Sequence, residues 1–142
     1  MIVVDAGVAA KWFLPEADSE RAQALLAGPR RLLAPDLIWI EVAAAITRQT
    51  RLGRLSDERA RELAAEWARA LADGAVTLTP ARDDIDRAAE TAIQLRHPLQ
   101  GCLYLALALR LDGPIVTADR SFIARARTAH RQVQDLRAEG DG

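Results

Sequence analysis

With 142 residues, half of them hydrophobic, the chain has the length and composition of a single folded domain rather than of a disordered protein. The net charge is −1 at pH 7, so any contact with nucleic acid must come from a local basic patch. Cys102 is the only cysteine, which excludes an intramolecular disulfide and argues against a cysteine-based zinc site. We find neither a signal peptide nor an apolar run of about 20 residues, and therefore expect a cytoplasmic protein without membrane contact.

In the first half of the chain, short apolar segments alternate with longer segments of helical pattern, which is typical of a parallel α/β sheet. Ser56 is placed to cap a helix, and Pro35 lies where the start of a helix needs no backbone donor. The predicted strands are 2–4 and 32–34, and the predicted helices are about 7–13, 18–26, 36–52 and 57–72.

The second half continues the same alternation of strands and helices. The segment 99–111 is apolar nearly all round, as expected for a helix that is buried among other elements. The remaining predicted elements are a strand at 76–79, a helix at 83–95, a strand from Ile115, a helix from Asp119 to about 129 and an edge strand within 131–133.

Three acidic residues interrupt apolar segments. Asp5 directly follows the first strand, and Asp119 follows the strand that begins at Ile115. Ligands of open parallel sheets bind beyond the carboxyl ends of the strands, so both aspartates are expected at that edge. Glu41 lies about two turns into its helix, on a face that its apolar neighbours mark as buried.

Carboxylates in apolar surroundings are costly unless they are paired, protonated or bound to a cation, and neighbouring carboxylates raise each other's pKa. No set of histidine or cysteine ligands accompanies these acids, so the donors favour Mg²⁺ or Mn²⁺ over zinc. Such an ion lowers the pKa of a bound water and screens charge on a phosphodiester. Other interpretations stay open: either aspartate fits as the cap of the following helix, and Glu41 fits as the partner of an arginine.

Several short segments together carry a resemblance to a known family. They are VDAGVA at 4–9, KWFLPE at 11–16, APDL at 34–37, EV at 41–42, GRLS at 53–56, HPL at 97–99, LYLALA at 103–108 and VTADR at 116–120. In this order they resemble the PIN-domain proteins of the VapC type, the ribonuclease half of bacterial toxin–antitoxin pairs. The resemblance implies a three-layer α/β/α fold with a central, mostly parallel sheet of four to five strands. We assign residues 1–136 to one PIN-like domain and expect 137–142 to be a frayed tail.

The resemblance further implies an endoribonuclease that uses Mg²⁺ or Mn²⁺ held by Asp5, Glu41 and Asp119. It implies an RNA substrate, a small DNA-binding antitoxin as partner, and a homodimer. Two positions depart from the family pattern: Gly101 stands where an acidic metal ligand is expected, and Gly7 stands where Ser or Thr is common. Gly101 leaves open an alternative, a non-catalytic PIN module that binds antitoxin or RNA without cleaving. A phosphoryl-transfer enzyme with Asp5 as nucleophile is a weaker alternative, because no second aspartate follows two residues later.

Other polar residues near these segments have both a functional and an ordinary interpretation. Arg48, Arg51 and Arg54 are candidates for RNA-phosphate contacts, although a solvated helix face is the favoured explanation. Thr117 is a candidate for orienting a metal-bound water, or an ordinary threonine at a strand end. His97 precedes a proline at a helix boundary and is assigned to packing or to the turn.

The few aromatic residues lie mainly in apolar runs. Trp12, Trp39 and Tyr104 are therefore assigned to packing, which argues against an aromatic platform for stacked bases. The alanine-rich stretch 39–46 and the helix that contains Trp67 exceed what one small core needs, which again predicts a homodimer.

Overall fold

The structure, a computed structural model, describes residues 1–138, and its centre is a parallel sheet. The described strands are Ile2–Val4 (β1), Leu32–Pro35 (β2), Thr77–Thr79 (β3), Ile115–Thr117 (β4) and Val133–Asp135 (β5). They form one sheet of order β3-β2-β1-β4-β5, in which every pairing is parallel. The first strand of the chain, β1, thus lies at the centre of the sheet with β4 beside it.

Helices cover both faces of this sheet. They are Ala6–Ala10 (α1), Ser19–Ala27 (α2), Leu37–Arg51 (α3), Asp57–Ala72 (α4), Ile85–Leu95 (α5), Leu99–Leu111 (α6) and Arg120–Ala126 (α7), with a 3-10 turn at Ala81–Asp83. The predicted three-layer α/β/α fold is confirmed. Within residues 1–138, no helix is long and apolar enough to cross a membrane.

Some element boundaries differ from the prediction. Pro35 ends β2 instead of starting α3, because the strand pairing continues to Asp36, whose backbone N–H donates to the Thr79 carbonyl at 2.8 Å. The last helix ends at Ala126, where the Thr128 hydroxyl bonds back to the Arg125 carbonyl at 2.6 Å and competes with the helical ladder. The strand β5 begins at Val133, the buried apolar residue of that segment, which pairs with Ile115.

The first helix is also shorter than predicted, since α1 ends at Ala10 and the chain continues in turns. The predicted domain limit at residue 136 stays a prediction. Arg137, in the predicted tail, pairs with Asp135 at 2.9 Å, and residues 139–142 of that tail lie outside the described part.

The core is densest where α6 packs on the sheet. Every residue from Cys102 to Ala108 is buried, as the apolar sequence of this helix predicted. The helix contacts β1, β2 and β4. Its N-terminal turn therefore has a fixed position near the carboxyl ends of the central strands.

One ion pair fixes α6 to the helix before it. Asp84, at the start of α5, has a side chain that is 1% exposed, and both of its oxygens accept from Arg110 of α6, at 2.7 and 3.0 Å. Arg110 is 39% exposed, so the pair lies at the edge of the core. A buried carboxylate of this kind depends on its partner, because burying a charge alone is costly.

We expect Arg110→Met to lower the free energy of unfolding by about 2–3 kcal/mol, since it leaves Asp84 buried without its cation. This loss is smaller than the roughly 3–5 kcal/mol for breaking a fully buried pair, because Arg110 is partly exposed. Urea unfolding measures the difference. The matched control is Arg59→Met, which removes an exposed pair with Glu62 and should cost less than about 1 kcal/mol. Equal effects of the two variants would contradict the structural importance of the Asp84 pair.

Candidate functional site

The candidate site lies at the carboxyl ends of the two central strands. Val4 of β1 pairs with Val116 of β4, so the residues that follow these strands meet at one edge of the sheet. The hydroxyl of Thr117, which is fully buried, donates to Oδ2 of Asp5 at 2.7 Å. The structure therefore brings Asp5 and the end of β4 together, as the order of strands and acids predicted.

Asp119 is tied to the same threonine through the backbone. Its N–H donates to Oγ1 of Thr117 at 3.2 Å, and its Oδ1 accepts from the N–H of Phe122 at 3.1 Å. The second bond is an N-cap of α7, so capping accounts for one oxygen of Asp119. Asp5 makes no such side-chain cap to α1, and capping does not account for it.

Glu41 enters the site from α3 and is held by a tyrosine of α6. The hydroxyl of Tyr104 donates to Oε1 of Glu41 at 2.6 Å. Burial, together with the hydrogen bond and the charge of Glu41, raises the pKa of Tyr104, so the phenol keeps its proton and remains a donor. In the part of the chain that the structure describes, the partner of Glu41 is thus a tyrosine and not an arginine.

The electrostatics of the site centre on Asp5. Burial raises the pKa of Asp5 to about 6, the hydrogen bond from Thr117 partly offsets this, and the charges of Glu41 and then Asp119 raise it further. These two effects place Glu41 and Asp119 within electrostatic range of Asp5. Because the ionised acids repel one another, a cation between them would be stabilising.

The carboxylate oxygens of the site are the type of ligand that a hard divalent cation prefers. The side chains that carry them are, however, not close enough together to surround a cation. Carboxylate oxygens are the ligands that Mg²⁺ and Mn²⁺ prefer. Among residues 1–138, however, no group of three or more His, Cys, Asp or Glu side chains is close enough to hold a metal ion as it stands. Binding a cation here therefore requires side-chain movement that brings the carboxylates closer together.

Gly101 lies in the first turn of α6 and has no side chain, so the space that a side chain would take is available to a neighbouring group. A Cβ at this position would lie 2.8 Å from Nε2 and 3.0 Å from Cδ2 of His97, and 3.8 Å from Phe122. The rings of His97 and Phe122 are stacked, with centroids 4.7 Å apart and planes at 31°. The imidazole of His97 thus fills the place that a side chain at position 101 would need.

The three predicted RNA-binding arginines lie outside this centre. Arg48 and Arg51 are exposed on the last turns of α3, and Arg54 is exposed after the helix. Arg48 follows Glu41 by seven residues, which places it on the same side of the helix about 10 Å further along. Within the described residues they form no ion pair with the three acids, and their role stays a prediction.

Two polar residues of the site were not assigned to it from the sequence. Tyr104 was assigned to packing, and the available signal was a single hydroxyl in an apolar helix, which needs a buried partner. His97 was assigned to packing or to the turn, and it does pack on Phe122. Its position over Gly101 depends on the side-chain conformation, for which the sequence carries no signal.

Comparison with known proteins agrees with this architecture. The family model of the PIN domain matches residues 2–128. The chain belongs to the PIN-domain family. PIN domains are generally metal-dependent nucleases. No curated protein matches the chain.

Two solved structures show the same fold as this PIN domain. A toxin–antitoxin complex from Klebsiella pneumoniae matches with a TM-score of 0.62 at 15% identity, covering 98% of this chain and 100% of the other. A protein from Pyrobaculum aerophilum matches with a TM-score of 0.62 at 20% identity, covering 95% of this chain and 88% of the other. At these identities the likeness concerns the fold.

The raised pKa of Asp5 predicts a stability that depends on pH in metal-free protein. Between pH 3.8, the ordinary pKa, and about 6, the folded state keeps a proton that the unfolded state has released. Stability therefore falls as pH rises through this window, by at most about 3 kcal/mol for a shift of this size. The Asp5→Asn variant lacks this titrating carboxyl group. We therefore expect its free energy of unfolding to rise relative to that of the parent chain as pH rises from 4 to 7.

Urea unfolding at several pH values, with chelator present, measures this difference. The control Asp73→Asn makes the same substitution at an exposed aspartate after α4. A pH-independent difference for Asp5→Asn would show that Asp5 ionises as an exposed acid does.

Tyr104→Phe tests the bond that holds Glu41. Removing a hydroxyl that donates to a carboxylate should lower the free energy of unfolding by about 1.5–3 kcal/mol. Glu41→Gln and the double variant complete a mutant cycle, and we expect a coupling of about 1 kcal/mol or more from urea unfolding. Strictly additive effects would mean that the two side chains do not interact in solution.

Proposed function

We propose that this chain has the architecture of a VapC-type toxin, a metal-dependent endoribonuclease in which Asp5, Glu41 and Asp119 hold Mg²⁺ or Mn²⁺. The observation that carries the proposal is the half-buried carboxylate of Asp5 at the sheet edge, which is bonded to Thr117 of the neighbouring strand and lies within electrostatic range of Glu41 and Asp119. A site that gathers negative charge in this way is suited to a divalent cation.

Neighbouring residues of the chain hold these three carboxylates in place through hydrogen bonds. One oxygen of each is anchored: Oδ2 of Asp5 by Thr117, Oε1 of Glu41 by Tyr104, and Oδ1 of Asp119 by the N–H at the start of α7. Anchoring one oxygen limits each carboxylate to few orientations and leaves the other oxygen for a ligand. A divalent ion bound there would lower the pKa of a bound water molecule and screen the charge of the phosphodiester.

The proposed roles of the remaining polar residues follow from their positions. Thr117 is bonded to Asp5, so any effect on the attacking water would pass through that carboxylate. Arg48, on the Glu41 side of α3, together with Arg51 and Arg54, would bind phosphates of the RNA beside the metal site. Long-range attraction is not expected, since the net charge is −1.

The proposed partners are a small DNA-binding antitoxin and a second copy of the chain, in the cytoplasm where RNA is available. Trp39 and Ile40 directly precede Glu41 on α3 and are 49% and 68% exposed, which leaves an apolar surface on this helix. Trp67 was part of the argument for a dimer, but it is 1% exposed and belongs to the core of this chain. The proposal of a dimer therefore rests on α3 and on the resemblance.

A second candidate, a non-catalytic PIN module, is favoured by one observation. Gly101 lacks the acid expected there, and the space is filled by His97. Such a module would keep the fold and the antitoxin surface without turnover.

The deciding experiment restores the acid. We expect the parent chain to cleave RNA poorly or not at all, and Gly101→Asp to gain cleavage that requires Mg²⁺ or Mn²⁺. The new carboxylate would lie in the first turn of α6, where the helix dipole stabilises it by roughly 0.3–1 kcal/mol, and the His97 ring must move aside to admit it. Growth arrest on induction and cleavage of total RNA, with and without chelator, are the measurements.

Two controls separate charge from bulk. Gly101→Asn has nearly the same shape without the charge and should remain inactive. Adding Asp5→Asn to Gly101→Asp should abolish cleavage again. Chelator-sensitive cleavage by the parent chain would show that the acid at 101 is dispensable, while an inactive Gly101→Asp variant would favour the non-catalytic module.

A further inference from the structure

The space of the missing acid is occupied by a potential metal ligand. His97 lies one helical turn before Gly101 in the chain, and its Nε2 is 2.8 Å from where a Cβ at position 101 would be. A side chain at 101 would require this imidazole to shift, because real Cβ contacts are longer than this. In this chain the imidazole therefore occupies the space beside Gly101 at the start of α6, against Phe122 and within electrostatic range of Asp119.

The ring has a defined position and an unused nitrogen. It stacks on Phe122, whose backbone N–H in turn donates to Asp119. Within residues 1–138, Nδ1 of His97 is buried and has no hydrogen-bond partner. A buried polar atom without a partner costs about 1–3 kcal/mol, and native proteins keep few of them without a functional reason.

The surroundings also favour the form of histidine that binds metals. Burial lowers the pKa of His97. The charge of Asp119 raises this pKa in part, whereas the charge of Arg125 lowers it further. Arg125 is itself held beside the ring by its bond to the Arg96 carbonyl at 2.7 Å. At neutral pH the imidazole is therefore mainly uncharged, and uncharged imidazole is a common metal ligand.

We propose that His97 replaces the absent carboxylate at position 101 as a ligand of the cation site, which converts an all-oxygen site into one with a nitrogen donor. This inference rests on the proposed function, since it takes Asp5, Glu41 and Asp119 as the other ligands. A nitrogen donor weakens the preference for Mg²⁺, which takes oxygen ligands, and favours ions that accept imidazole, such as Zn²⁺. Because the described side chains do not yet surround a common point, the ion would draw them together.

The chain offers an internal control, because it contains only two histidines. His130 is buried and bonded through Nε2 to the Gly113 carbonyl at 2.7 Å, in the turn before β4. In protein labelled with ¹⁵N-histidine, Zn²⁺ should shift a ring nitrogen of His97 and leave His130 unchanged. A spectrum in which saturating Zn²⁺ leaves His97 unchanged would overturn the proposal.

Calorimetry on the intact chain gives the second readout. We expect His97→Ala to weaken Zn²⁺ binding by about 10- to 100-fold and Mg²⁺ binding little. His97→Phe keeps a ring on Phe122 without a nitrogen, and should lose Zn²⁺ affinity to the same extent. If both ions bind through Asp5 but His97 has no effect, the inference is wrong and the proposed function stands. If Asp5→Asn changes neither ion's affinity, the metal site itself is wrong, and the inference with it.

A metal-free measurement tests the shared space independently. Gly101→Ala should destabilise the parent chain, because its Cβ displaces the ring, and should stabilise the His97→Ala background, because alanine is the better helix former. Thermal unfolding with chelator gives the sign of each effect. The same sign in both backgrounds would show that His97 does not occupy this space, and would overturn the proposal.

Discussion

The arrangement of the site depends on holding the half-buried carboxylate of Asp5 against the end of β4. The bond from Thr117 to Asp5 joins residues 112 positions apart in the chain, so it forms only when β1 and β4 are paired in their native register. A shift of one residue would turn the Thr117 side chain to the other face of the sheet. Because burial disfavours the charge of Asp5, the pairing of the strands must supply the free energy that keeps this acid in place.

The helices extend the same principle to the other acids. Tyr104 belongs to the most deeply buried helix and reaches Glu41 on α3, which lies 63 positions earlier in the chain. Since α6 packs on three central strands, its tyrosine is a rigid support for a side chain that would otherwise have several rotamers. Asp119 is anchored by the start of α7. Each carboxylate is therefore oriented by a different element, and the sheet determines how these elements lie relative to one another.

The position of the acids was predictable from the sequence, while their hydrogen bonds were not. Residues that follow adjacent parallel strands meet at one edge, so Asp5 and Asp119 could be placed together from the apolar segments before them. The partner of Tyr104 is distant in the chain, and an apolar run gives no indication of which acid its hydroxyl will meet. The extension of β2 through Pro35 depends on β3 as its neighbour, and a local helix-start pattern does not contain that information.

Gly101 has a consequence for stability as well as for metal binding. A carboxylate there would add a further negative charge to a centre in which Glu41 and Asp119 already raise the pKa of Asp5. In the absence of a cation, each added acid makes the folded state less favourable. An uncharged imidazole fills the same volume, packs on Phe122 and adds no negative charge. Glycine at position 101 therefore makes the metal-free folded state more stable than an acid there would, because it avoids further charge repulsion. In the metal-bound protein the same glycine removes a ligand, so the net effect on stability depends on whether a cation is bound.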